Sequence, residues 1–367
     1  MTASSTLETT QTPAGATTAA RSAAERAYAE ERIEWRSLQV AAAVFFGAAL
    51  VFAGLFYLQG DQFYLRLATE ALIYGGLAIS VDILLGQAGL LSLGQALYFG
   101  LGAYVSALVM KNVAPSFWLA LGASLGIGIV AGLIGGLIAI RARGVYFALI
   151  TYGLAAVIGK VIYNTRELGA SDGIIGIPIV NIPLGFVETP ADSPVGFFLV
   201  TLAIVGIIYL GLVYVGSTPF GRALAGVRIN ESRLPFLGYR PFRLKLGAFV
   251  MAAAIASLMG GLYPMLRSFV SPELMYFDVS TNAVIAAMIG GVGTVIGPLY
   301  GAVFLVYVKS AIGTFTEHHL IVIGALFMAV VIFFPRGVIG YGKELVVRIV
   351  RQRRGASGDM PDGGGPQ

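Results

Sequence analysis

Residues 84–99 read LLGQAGLLSLGQALYF. Three glycines, two glutamines and a serine cut into a run that is otherwise apolar enough to cross a bilayer. A second interruption, MIGGVGTVIGPLYGAVF at residues 288–304, repeats the pattern with glycines and a proline. Backbone that leaves the helix inside lipid loses hydrogen bonds that hydrocarbon cannot replace. Such breaks survive only where protein or a watered cavity surrounds them. Each stretch therefore has two readings. One is close helix packing or a tight turn between two spans. The other is a broken helix lining a solute path, as paired discontinuous helices do in transporters. Two comparable interruptions in separate halves favour the second reading, and the general abundance of glycine, 49 in all, weakens it.

Around these breaks lie the candidate path or gate residues: Asp82, Gly86, Gly89, Ser92 and Gln95 in the first, and Gly290, Gly293, Gly297 and Pro298 in the second. Asp82 sits in an apolar run four residues before Gly86. An acid at membrane depth is costly and faces the bundle interior or water. It serves either the path itself or, as a satisfied carboxyl, the end of a broken helix. Lys160, near a span end, reads as a snorkelling cation.

The rest of the chain carries the same membrane signature. Of 367 residues, 57% are hydrophobic and 12% charged, and the mean hydropathy is +0.82. Soluble domains are charged at about one residue in four, so a soluble fold is excluded. The expected class is an all-α polytopic transmembrane bundle. Apolar segments lie at roughly 39–58, 67–85, 90–110, 117–140, 144–163, 195–216, 245–266, 295–312 and 320–334, with a shorter one near 282–292, about ten spans in all. Residues 1–37 read as a disordered, charged cytoplasmic extension, 38–342 as the membrane domain, and 343–367 as a basic, then disordered, tail.

Loop charge supports ten spans. Residues 217–245 carry Arg222, Arg228, Arg233, Arg240, Arg243 and Lys245 against the single acid Glu231, which marks a cytoplasmic loop. Ten spans put both termini, including the basic tail, on that same side. Nine would send the tail outward. Residues 164–194 then form the longest exterior segment.

No catalytic constellation is present. The two histidines, His318 and His319, are adjacent in a short loop, and cysteine is absent. No metal site and no cofactor are expected. Neither GKVIY nor GKELV, at 159 and 342, has the glycine and hydroxyl residue of a phosphate-binding loop, so any ATP must be bound by another subunit. Pro219 opens a helix with Phe220, Leu224 and Val227 on one face and Gly238 as its stop. That segment reads as an amphipathic cytoplasmic helix, lying on anionic lipid or docked on a partner.

Eight separated stretches carry a family resemblance: GQAGLLSLGQALYFGLGAY (86–104), RGVYFALIT (143–151), GASDGIIGIP (169–178), TPFGRALAGVRINESRLPFLGYRPFRLKLGAFV (218–250), SPELMYF (271–277), GGVGTVIGPLYGA (290–302), TEHH (316–319) and FFPRGVIG (333–340). In this order they resemble the branched-chain amino acid permeases of ATP-binding-cassette importers, in particular the LivM-type subunit, over roughly 66–342. Urea and short-amide permeases share most of them. The resemblance implies a permease in the cytoplasmic (inner) membrane, paired with a second, LivH-like permease. Two cytoplasmic ATPases would bind and hydrolyse the ATP, and an extracytoplasmic binding protein would deliver solute; no nucleic acid is implied. It also implies that Phe220, Gly221, Arg222, Arg228, Glu231 and Gly238 couple the chain to an ATPase. Gln95 stands where the family often has histidine, and Asp82 where it often has asparagine. Branched-chain amino acids are the expected solute, with urea, short amides or aromatic acids as alternatives. A self-sufficient secondary carrier or channel is the alternative of another class.

Overall fold

The structure, a computed structural model, describes residues 38–57, 62–178, 182–183, 188–189 and 193–315, with positions 324, 325, 328 and 337. The extension 1–37, the TEHH stretch, the tail 343–367 and all but three positions of the expected span 320–334 lie outside the described residues. The chain divides into two units, Ala42–Tyr341, and Met1–Ala41 with Gly342–Gln367.

The other nine expected segments are helices. They are α1 (Leu38–Tyr57), α2 (Gln62–Asp82), α3 (Gln95–Asn112), α4 (Phe117–Ala139), α5 (Val145–Asn164), α6 (Pro194–Ser217), α8 (Pro241–Arg267), α9 (Phe277–Gly290) and α10 (Gly297–Phe315). The short α7 (Pro219–Asn230) joins α6 to α8. Among the described residues, α1, α2 (continued to Gln87), α4, α5, α6 and α8 are long and apolar enough to cross a membrane. Residues 90–94, expected to begin a span, are not helical; α3 starts at Gln95. The all-α bundle also carries two small antiparallel pairs, β1 (Ile174–Ile175) with β4 (Phe269–Val270) and β2 (Ile182–Pro183) with β3 (Glu188–Thr189).

Helix exposure sorts inner elements from lipid-facing ones. The most apolar stretch of α1 is 17% buried and that of α2 is 78% buried. Val44, Val51, Ile134, Leu149 and Ile207 stay exposed on the outer helices, as lipid contact requires. Helix α2 packs on α3, α6, α8, α9 and α10 and forms the central post. Ala78 of α2, Ala286 of α9 and Ala302 of α10 meet at one point, where small side chains let backbones approach.

Serine hydroxyls stitch α3, α4 and α8. Ser124 Oγ donates to the Gly102 carbonyl (2.9 Å), Ser257 Oγ to the Ser124 carbonyl (2.6 Å) and Ser106 Oγ to the Gly261 carbonyl (2.8 Å). Lipid supplies no hydrophobic drive between helices, so such bonds and close packing hold the bundle, at about 0.6 kcal/mol per bond.

Candidate functional site

The site grows from the end of α2. After Asp82 the helix widens into one π turn, Ile83–Gln87, in which the Ala88 amide reaches back five residues to the Ile83 carbonyl (3.3 Å). The Leu90 amide then bonds the Leu84 carbonyl (2.8 Å). In a regular helix it would have bonded Gly86. The Gly86 carbonyl is therefore released, and Arg228 of α7 donates to it through Nη1. The Arg228 stem also lies along Gly89. A helix from the basic segment thus holds the first interruption directly.

The second interruption reaches the same point from the other side. Between α9 and α10 the chain turns through residues 291–296. Gly293 has φ +85°, and Val295 has φ +59°, which a β-branched residue seldom adopts. Thr294 Oγ1 stitches the turn, donating to the Gly291 carbonyl (2.7 Å) and accepting from the Gly297 amide (3.0 Å). Asp82 grips it from outside. Its Oδ1 accepts from the Gly293 amide (2.5 Å) and its Oδ2 from the Val295 amide (3.1 Å). Asp82 is 1% exposed, so its charge has left water, and these two donors, together with the Arg228 guanidinium, offset part of that cost. Any side chain at Gly86 would strike the Asp82 carboxylate and the Gly293 backbone.

The two interruptions therefore differ in form. The first is a broken helix. The second is a tight turn, with Gly290 backed onto the Gly297 carbonyl and Pro298 seated in the first turn of α10. Asp82, Gly86, Gly89 and Gly293 come together. Ser92 and Gln95 lie farther along, where α3 begins. Ser92 is buried and accepts from the Gly94 amide (3.4 Å). Gln95 is fully buried, and neither amide atom has a hydrogen-bond partner.

Three of the six expected coupling residues pack inward. Phe220 lies against Gly247 of α8, and Gly221 is wedged against Val215 and Gly216. Glu231 pairs with Lys245 of α8 at 2.6 Å. Arg222 is exposed. The expected single helix to Gly238 divides. Helix α7 stops at Asn230, whose side chain accepts from the Ser232 amide, and a 3₁₀ run with Pro235 covers 231–237. Gly238, with φ +80°, ends the run. The apolar side chains left outside are Ile229, Phe236 and Leu237, at 86%, 91% and 71% exposure. Sequence reasoning, fixed on charge and helical period, passed over them. It also passed over Val295, and it read Lys245 only as loop charge. Among the described residues no group of three or more metal-ligating side chains occurs.

Comparison with known proteins agrees with this architecture. The LivM permease of the high-affinity branched-chain amino acid transport system of Salmonella typhimurium is 28% identical over 316 residues, covering 81% of this chain and 74% of that protein. The LivH permease of the same organism is 22% identical over 73% of this chain and 91% of its own length. The autoinducer 2 import system permease LsrC of Yersinia pestis is 28% identical over 72% of this chain and 76% of its own. No solved structure matches the chain. Residues 63–331, well over half of the sequence, match the family described as branched-chain amino acid transport system / permease component, and the chain belongs to that family.

Proposed function

We propose that this multi-pass membrane protein is the solute-conducting subunit of an ATP-driven importer of branched-chain amino acids. Two cytoplasmic ATPases power it, a second permease completes the path, and an extracytoplasmic binding protein supplies the solute. Both termini face the cytoplasm. The observation that carries the mechanism is the Arg228 contact with the released Gly86 carbonyl. Motion of α7, driven from below at Ile229, Phe236 and Leu237, pulls on the π turn. Closing that turn to α-helical register withdraws Gly86 from Gly293 and loosens the Asp82 grip on the 291–296 turn. The two interruptions then part, and the path opens at that end. The candidate residues Asp82, Gly86, Gly89, Gly293 and Arg228 form the gate in this reading, and Ser92, Gln95, Gly290, Gly297 and Pro298 flank it.

The test is Arg228→Ala in the complete transporter. ATP hydrolysis persists, while its stimulation by loaded binding protein and leucine uptake fall together, at least tenfold for the loss of about 1.5–3 kcal/mol in a charge-assisted bond. Retained coupling refutes the role of this contact. Uptake that survives removal of the ATPases and collapses with an ion gradient assigns the chain to secondary carriers.

A further inference from the structure

A cavity of about 380 Å³ lies between α2, α9, α10 and the end of α8. Its charged end is far from the gate. Its acid, Glu70, precedes Asp82 by twelve residues on α2, about 18 Å of helix. Arg267 ends α8, whose other end adjoins the basic segment. The cavity therefore occupies the end of the bundle opposite α7.

Its charges are unusual for a membrane domain. Arg267 donates through Nη2 to Glu70. The Arg267 side chain is 52% exposed and Glu70 15%, so the guanidinium keeps further donors available. Lys309 of α10 projects into the same space, half-buried. Among the described residues it has no hydrogen-bond or ion-pair partner, and the acids that act on it are Glu70 and Asp278. Leu67 and Leu305 supply an apolar wall.

A half-buried cation with no direct partner among the described residues is expensive inside a bundle and marks a functional site. A neutral solute such as urea or a short amide would give Lys309 no direct anionic partner and leave it to the longer-range pull of Glu70 and Asp278. A zwitterion provides a carboxylate for Lys309 and Arg267, an ammonium for the remaining lone pairs of Glu70, and a short apolar side chain for Leu67 and Leu305. We propose that this cavity is the entry subsite for a zwitterionic α-amino acid with an aliphatic side chain. The inference rests on the transport reading above and adds to it the residues that distinguish an amino acid from an amide.

The chain lacks cysteine, so Val279→Cys places a single thiol in the cavity wall. The complete transporter carrying V279C, in vesicles of zwitterionic lipid, is alkylated with and without ligand. Leucine at ten times its Kd slows labelling about tenfold. Leucinol, which lacks the carboxylate, 4-methylpentanoate, which lacks the ammonium, and acetamide leave the rate unchanged. Lys309→Gln abolishes protection by leucine and Lys309→Arg keeps it, both in transporters that still co-purify. Equal protection by leucinol or by 4-methylpentanoate overturns the proposal. So does slowing by anionic lipid alone, which assigns the charges to a lipid headgroup. Absence of protection in vesicles that still take up leucine overturns the subsite and leaves the transport reading standing. Absence of uptake of any amino acid overturns the transport reading itself.

Discussion

Replacing Asp82 by asparagine separates the charge of its grip on the 291–296 turn from its shape. The carboxylate receives two backbone N–H groups, from Gly293 and Val295. Asparagine can accept only one of them through its oxygen, and its NH₂ group then faces the other N–H. One charge-assisted bond is lost and the other becomes neutral. With such bonds taken at about 1.5–2 kcal/mol, the low end of their range, and neutral ones at about 1 kcal/mol, the closed turn loses about 2–3 kcal/mol. That grip also holds Val295 in its unfavourable conformation, which itself costs about 1–3 kcal/mol. The open population of the 291–296 turn therefore rises about 30- to 150-fold. Val292, half-buried in the turn, is the reporter: Val292→Cys is alkylated faster by that factor in the Asp82→Asn background. Adding Val295→Gly removes the strain and recovers part of the loss. A change below about threefold, near 0.7 kcal/mol, in a variant that retains its helix content would refute the assignment of Asp82 as the grip.

Two further substitutions test neighbouring parts of the fold. Glu231→Gln leaves the buried Lys245 ammonium without its partner. The loss expected for a fully buried pair is about 3–5 kcal/mol, discounted to about 2 kcal/mol because the Glu231 side chain is 35% exposed. The thermal midpoint of the detergent-purified chain falls, and Glu231→Leu with Lys245→Met restores most of it. Gly260→Ala drives a methyl group into the Phe99 carbonyl where α8 crosses α3. Overpacking of about 1–3 kcal/mol lowers that midpoint, whereas the same change at Gly211, which faces open space, leaves it unchanged.

Several features were legible because they are local. The apolar runs gave nine helices, with the starts of α2, α3 and α9 displaced by five residues, and Gly238 was recognised as a stop from its type and place. The break after Asp82 was legible from glycines in lipid. Its form was not, since a π turn differs from an α turn only in which carbonyl each amide selects. The division of α7 at Asn230 escaped notice for a related reason. The apolar spacing continued past that residue, and it is the extended backbone at Asn230, with its side-chain bond to Ser232, that stops the helix.

The sequence by itself determined that this is a helical membrane bundle, that it contains two weak points, and that a basic amphipathic segment lies between α6 and α8. Those conclusions follow from hydropathy, residue type and the need of backbone groups in lipid to find partners close by along the chain. Only the tertiary structure decided that the weak points meet, that Asp82 grips a turn more than 200 residues away, and that Arg228 holds the carbonyl the π turn releases. It also turned Phe220 and Glu231 inward and gathered Glu70, Arg267 and Lys309 around one cavity. These pairings depend on where helices cross and how far each is rotated about its axis. Crossing and rotation are set by close packing of small residues summed over the whole bundle, and no single segment carries that sum.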